Sequence, residues 1–258
     1  FISPTIIPFV FALVMALSVG SEAQTIGASE RYGNCMRDAR SDPERGLETA
    51  LVWRDENNSR KDEYAAAHCE AVALTGLGQF ETAAKRLEAL ATLMSAASMG
   101  VTSEPASPPK AVRAEILAQA GQAWFQADQT ALARAALSTA VALDPENVEI
   151  RIDRAMTRAA DGAYWDAIDD LNMAISVNRD KNQKNADAYA LRASAYRFLD
   201  VLSLAKQDAD TALRLAPNNA EAWLEQGIIS HMSGDDAAAR KMWIRLVRLH
   251  EGTPAADS

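Results

Sequence analysis

Few residues of this chain could do chemistry, and their spacing argues against most of it. The three histidines, His68, His231 and His250, are scattered and make no metal-ligand spacing. No Gly-rich phosphate loop occurs. Asp166, Asp169 and Asp170 cluster on a stretch patterned as helix and read as a solvated face. No Ser, His and acid set is visible, although a triad can be assembled from distant positions. That leaves Cys35 and Cys69, 34 residues apart. With His68 they give three ligands at most, which leaves a structural zinc site one short. They read either as a disulfide or as two buried small apolar residues.

The elements that must position these residues follow a repeat. Segments starting at Ala114, Val148, Ala186 and Ala220 share one pattern of small and large residues. A period near 34 with two helices per unit specifies a helical solenoid, in which each unit packs only on its neighbours. The Cys35–Cys69 separation equals that period. Equivalent positions on neighbouring repeats are neighbours in space, so a bond between the two is geometrically sound. Composition agrees with close-packed helices: 48% of residues are hydrophobic but only 6% aromatic, and Ala dominates. The net charge of −9 argues against a nucleic-acid phosphate backbone as ligand.

In the first segment Gly121 is eighth, Trp124 eleventh, Ala133 twentieth, Ala140 twenty-seventh and Pro145 thirty-second. Ala155, Ala167 and Ala174 hold the three small positions of the second. Ala193, Ala205 and Ala212 hold them in the third, with Pro217 closing it. The fourth has Gly227 and Ala239, with Leu246 where a small residue is expected. This pattern resembles the tetratricopeptide repeat family. The resemblance implies an all-α, helix-turn-helix solenoid, a right-handed superhelix of antiparallel helix pairs A and B. The units are 114–147, 148–181, 186–219 and 220–253, within a region 111–251. Four extra residues between Arg179 and Asn185 are expected to form an exposed loop.

A further unit is expected upstream in a frame starting at Tyr64, with Ala71, the turn at Gly78, Phe80 and Ala83. Before it, Tyr32 to Trp53 reads as a degenerate helical pair. Asp42 there is an N-cap and Pro43 sits in the first turn. These form an N-terminal region, 24–98. Residues 99–110 are Pro- and Ser-rich and read as a linker, and 252–258 as a disordered tail. At the start, Ile6 to Val19 is apolar apart from Pro8 and Ser18, followed by Ser21, Glu22 and Ala23. That reads as a signal peptide, 1–23, too short to span a bilayer comfortably. An initiator Met and a basic stretch are expected before Phe1. Export implies a periplasmic or secreted mature chain without stable membrane insertion, and an oxidising compartment that permits the disulfide.

In this family helix A lines the concave face at positions two, five, nine, twelve and thirteen. Carried onto this chain, the resemblance implies a partner-binding set of Gln122, Phe125, Ile152, Met156, Arg197, Phe198, Leu224, Ile228 and Met232. Some members clamp a chaperone's terminal carboxylate with Lys and Asn. Here the fifth positions are Ala118, Ile152, Ala190 and Leu224 and the ninth are Gln122, Met156, Ser194 and Ile228, so that ligand is not expected. Each apolar residue of the set has a plainer role as packing between helices. The acids at position two (Glu115, Glu149, Asp187 and Glu221) form either an acidic rim or an offset to the helix dipole. The last helix carries Arg240, Lys241, Arg245, Arg248 and His250. It either caps itself with charge or is covered by a partner or a second copy, making a homo-oligomer. The expected function is a non-enzymatic scaffold or assembly adaptor of the cell envelope. It would bind a protein, peptide or helix, without a cofactor or metal. The alternative is a regulatory or substrate-presenting subunit of an envelope enzyme complex.

Overall fold

The computed structural model describes residues 30–56, 59–98, 109–177 and 182–249. The expected signal peptide, nearly all of the linker and the C-terminal tail lie outside the described residues. The described residues form helices and turns only, and none of their helices is long and apolar enough to cross a membrane. They group into two compact units. The first holds α1 (Glu30–Ser41), α2 (Pro43–Asp55), α3 (Arg60–Gly76), α4 (Phe80–Ser98), α5 (Lys110–Gln126), α6 (Thr130–Leu143), α7 (Val148–Ala160) and α8 (Tyr164–Val177). The second holds α9 (Asn182–Phe198), α10 (Leu202–Leu215), α11 (Ala220–Met232) and α12 (Asp236–Leu249).

Each helical hairpin closes in the same way. The fifteenth residue of all five units has a left-handed backbone: Gly78 (φ 72°), Asp128 (57°), Gly162 (76°), Asp200 (60°) and Gly234 (83°). The next residue's N–H bonds a carbonyl five residues back, as in Gln79 to Leu74 (2.9 Å) and Ala163 to Arg158 (2.8 Å). This satisfies a carbonyl that the helix end leaves open. Gly tolerates that backbone freely, and Asp is among the few other residues that do. Entry into helix A is also fixed locally. Asn147 and Asn219, the last residues of their units, accept the N–H of Ile150 (3.2 Å) and Ala222 (2.8 Å). Asp42 caps α2 through the Arg45 N–H, with Pro43 at its first helical position. The α9 helix starts at Asn182, so the expected loop through Asn185 is shorter. Asn185 and Ala186 are already buried against the unit and extend helix A by a turn.

The small positions let the helices approach closely. Ala71, Ala83, Ala133, Ala140, Ala167, Ala174, Ala193, Ala205, Ala212 and Ala239 are fully buried. In the last hairpin the approach is closer still. A Cβ on Gly227 would overlap the Trp243 indole, which fills space that the pattern otherwise leaves to smaller groups. Leu246 is buried there in place of a small residue.

A charge pair recurs between helices A and B at positions seven and twenty-three. Arg154 bonds Asp170 through Nε (2.8 Å) and a terminal nitrogen (2.6 Å). Arg192 grips Asp208 in the same bidentate way (2.7 and 2.8 Å). In the unit starting at Tyr64 the pair is inverted, with Glu70 on helix A and Arg86 on helix B at 2.9 Å. In the unit starting at Ala114 both positions are buried alanines or nearly so, Ala120 and Ala136.

The two cysteines are bonded, joining α1 to α3 with Cα atoms 6.1 Å apart. Both are completely buried. They lie on successive A helices, as their spacing predicts. The Asp166–Asp169–Asp170 reading needs correction. Asp166 and Asp169 are exposed, but Asp170 is 2% exposed. Its carboxylate meets Arg151 (3.4 Å), Arg154 and Arg158 (2.7 Å). These arginines occupy the helix-A stripe that Leu117, Ala120 and Trp124 occupy in the preceding unit. Their charge requires the buried acid that a solvated face does not.

Candidate functional site

In the first unit, the A helices are joined by a ladder of polar side chains. Tyr32 on α1 bonds His68 Nδ1 on α3 at 2.7 Å. His68 Nε2 bonds Gln119 Oε1 on α5 at 2.9 Å. One turn along α5, Gln122 Nε2 donates to Asp153 Oδ2 on α7 at 2.7 Å. Gln119 Oε1 can only accept, so His68 Nε2 carries a hydrogen. Burial holds the imidazole neutral by pulling its pKa down, against the opposing Gln119 bond. In the neutral ring Nδ1 therefore accepts from the Tyr32 hydroxyl, whose own pKa burial pushes up to about 12.

Asp153 is pushed up to about 7 by burial, with the nearby Glu149 adding and the Gln122 bond opposing. The folded chain thus holds this proton more tightly than the unfolded chain does. Stability is full below the unfolded pKa near 4 and declines as pH rises to about 7. We expect the wild type to lose roughly 2–4 kcal/mol more than Asp153→Asn between pH 4 and pH 8. Urea titrations of both chains across that range measure the difference. Parallel curves would show that Asp153 ionises without cost. His68 acts in the opposite direction below its unfolded pKa near 6.5, but it is common to both chains and cancels.

In the second unit the corresponding face is held by an ion pair. Arg197 on α9 bonds Glu225 on α11 at 2.6 and 3.0 Å. Its guanidinium lies 4.3 Å above the Phe198 ring. At the start of the same helices, Asn219 bonds Asp187 at 2.6 Å. Burial raises the Asp187 pKa, and Glu221 raises it further. On another face of this unit, Arg192 sits between Tyr189 (5.1 Å) and Tyr196 (6.0 Å). These three residues line a shallow recess of about 370 Å³ with Gln207, Asp208 and Arg214.

The nine residues expected to bind a partner all lie on A helices, and none is fully buried. Gln122, Phe125, Ile152 and Met156 belong to the first unit, and Phe125 also packs against its core. Arg197, Phe198, Leu224, Ile228 and Met232 belong to the second. Phe198 and Met232 are the most open, at 46% and 47%. The pattern missed the sixth positions, Gln119, Asp153 and Glu225, which reach across to neighbouring A helices. The only trace in the sequence is a polar residue at the sixth position, flanked on both sides by alanine at Gln119 but followed by Arg154 and Gln226 in the other two units. On α12, Arg240, Lys241, Arg245 and Arg248 are exposed, but so are Ile244 and Val247. The last helix is therefore apolar as well as charged on its outer side. His250 lies outside the described residues.

Two groups with displaced pKa values on one face raise the question of catalysis. His68 bonds Tyr32 and Gln119, and Asp153 bonds Gln122. Neither side chain bonds a Ser, Thr or Cys nucleophile. Among the described residues, no group of three or more His, Cys, Asp or Glu is placed to hold a metal.

No family model matches the chain. No curated protein matches it either. Among solved structures it is similar to BtubC from P. vanneervenii, at 14% identity over 83% of this chain and 90% of that one, with a TM-score of 0.64. It is also similar to PilF of Pseudomonas aeruginosa, at 15% identity over 88% and 96% of the two chains, with a TM-score of 0.60. A third is YrrB, described as a TPR protein with an unusual peptide-binding site, at 15% identity over 81% and 96%, with a TM-score of 0.54. These likenesses concern the fold. The chain has the all-α helical-repeat fold of tetratricopeptide proteins.

Proposed function

We propose that this chain is a non-enzymatic scaffold or assembly adaptor of an exported compartment, and that its A-helix faces hold a peptide or helix of a partner. The Gln122–Asp153 bond carries the reading. It joins the half-buried faces of α5 and α7 into one continuous surface, beside the partly exposed Phe125, Ile152 and Met156. A surface that mixes apolar side chains with oriented polar ones suits peptide recognition. The peptide-binding site named for YrrB lends support by analogy of fold. The buried disulfide and the signal-like start support a periplasmic or secreted location.

The test starts from dodecapeptides selected on the intact chain from a phage-displayed random library. Each is then measured against Ile152→Glu and Leu224→Glu. A charge on the binding face should weaken a selected peptide by about tenfold or more, equal to 1.4 kcal/mol, in the unit that holds it. Circular dichroism should be unchanged. Equal affinity for wild type and a folded double variant overturns the reading.

A further inference from the structure

Large apolar side chains open to solvent gather on two B helices, one in each unit. The α8 helix exposes Trp165, Met173 and Val177, and α12 exposes Trp243, Ile244 and Val247. No other described helix exposes more than one such residue. Trp165 is the most open of all, at 62%. On α8, Trp165, Asp169, Met173 and Val177 follow at spacings of four and share one stripe, with the exposed Asp166 beside it. On α12, Arg240 and Lys241 stand one turn before Ile244, and Val247 and Arg248 one turn after it.

The two stripes carry opposite charge. The α8 helix has acids and no base, whereas the apolar centre of α12 is surrounded by Arg240, Lys241, Arg245 and Arg248. Among the described residues, neither Asp166 nor Asp169 has an ion-pair partner, and none of those four basic residues has one. The helix dipole accounts for little of this pattern. Asp169 lies beyond the first turn of α8, and Arg240 and Lys241 lie in the N-terminal half of α12, where the dipole gives a cation no support. Contiguous apolar surface left open on a folded chain marks a contact site. Pairing either stripe with itself would set like charges against each other. An anionic lipid surface would answer α12 alone and leave the Trp165 stripe bare. The other stripe, on a second molecule, answers both.

We infer that α12 of one copy docks on α8 of a second copy. Ile244 and Val247 meet Trp165, Met173 and Val177 at the centre, and Asp166 and Asp169 face the basic residues around them. The contact is heterologous, because it joins two different surfaces of the same chain. Each new copy still offers a free α8 stripe or a free α12 stripe, so pairing propagates into a ring or an open chain of copies. Two helices of 14 residues each bury a modest area, which makes the association weak and dependent on concentration and salt. The A helices proposed to hold a partner take no part, so the two readings stand or fall separately.

Sedimentation velocity of the intact chain over a dilution series tests this. Species larger than a dimer should grow with concentration and shrink in high salt. Reversing the α12 stripe (Arg240→Glu, Lys241→Glu and Arg248→Glu together) should weaken association by about tenfold or more. Reversing the α8 stripe (Asp166→Lys with Asp169→Lys) should do the same. A chain carrying both reversals should assemble again, as should a mixture of the two single-stripe variants, which misfolded proteins would not do. Trp165→Ser, with every charge kept, should also weaken assembly. A double reversal that assembles no better than either single one overturns the inference. So does assembly that is lost on reversing α12 but kept on reversing α8. A wild-type chain that stays monomeric at every concentration overturns it as well, and if that chain binds phosphatidylglycerol vesicles through α12, the helix serves a lipid surface instead.

Discussion

Replacing Asp170 by alanine should cost this fold about 3–5 kcal/mol, as removal of one partner from a buried ion cluster generally does. Asp170 is 2% exposed and its two oxygens meet three guanidinium groups. Arg151 also bonds the Pro145 carbonyl (2.7 Å) and Arg158 the Asp166 carbonyl (3.0 Å). Those bonds hold the arginines in place when the carboxylate is gone, leaving positive charge in a poorly solvated position. Asp208→Ala should cost less, because Asp208 answers Arg192 alone. Denaturant unfolding followed by circular dichroism compares the two. A loss under about 1 kcal/mol for Asp170→Ala would mean that the arginines swing out to water, as surface pairs do. Replacing the whole cluster by apolar residues of similar volume should be far milder than the single substitution, since no charge is then left unanswered.

The second large effect belongs to the disulfide. Replacing both Cys35 and Cys69 by serine should lower stability by roughly 3–4 kcal/mol, the chain-entropy value for a loop of this length. The link ties α1 to α3, and with them the first hairpin to the rest of its unit. Without it, α1 and α2 should become the first region to exchange amide hydrogens and to be cut by protease. Because both sulfurs are completely buried, reductant should act on the native chain only through unfolding. Mass spectrometry with an alkylating reagent provides the check. Two thiols labelled in unreduced protein on unfolding in denaturant would show that the bond is absent.

Much of this architecture was legible because a repeat writes the same instruction several times. The small positions, the turns at Gly78 and Gly162 and the Asp42 cap all carry local chemistry that a single residue type betrays. Asp128 and Asp200 are harder to read. They hold the same left-handed turn, yet aspartate is equally at home on a helix surface or at a cap. Asp170 was misread for a related reason. Periodicity places it on a helix with two other acids, but its burial depends on three arginines from the facing helix. No pattern within α8 reports them. The sixth positions escaped because their importance lies in reach. A glutamine or aspartate there matters only when the neighbouring A helix offers a partner within bonding distance, and that distance is a product of the packing.

The inverted charge pair limits which helices can be exchanged between hairpins. Grafting α3 onto α10 would bring Glu70 against Asp208, and grafting α9 onto α4 would bring Arg192 against Arg86. Either chimera buries two like charges face to face, while α5 and α6 meet through alanines and would leave any charged graft unanswered. The units look like copies from outside, yet the α3–α4 hairpin carries its charges in the opposite sense from α7–α8 and α9–α10. Moving whole hairpins would keep each pair, which lies inside one hairpin, whereas exchanging α3 or α4 singly with a helix of another hairpin would break it.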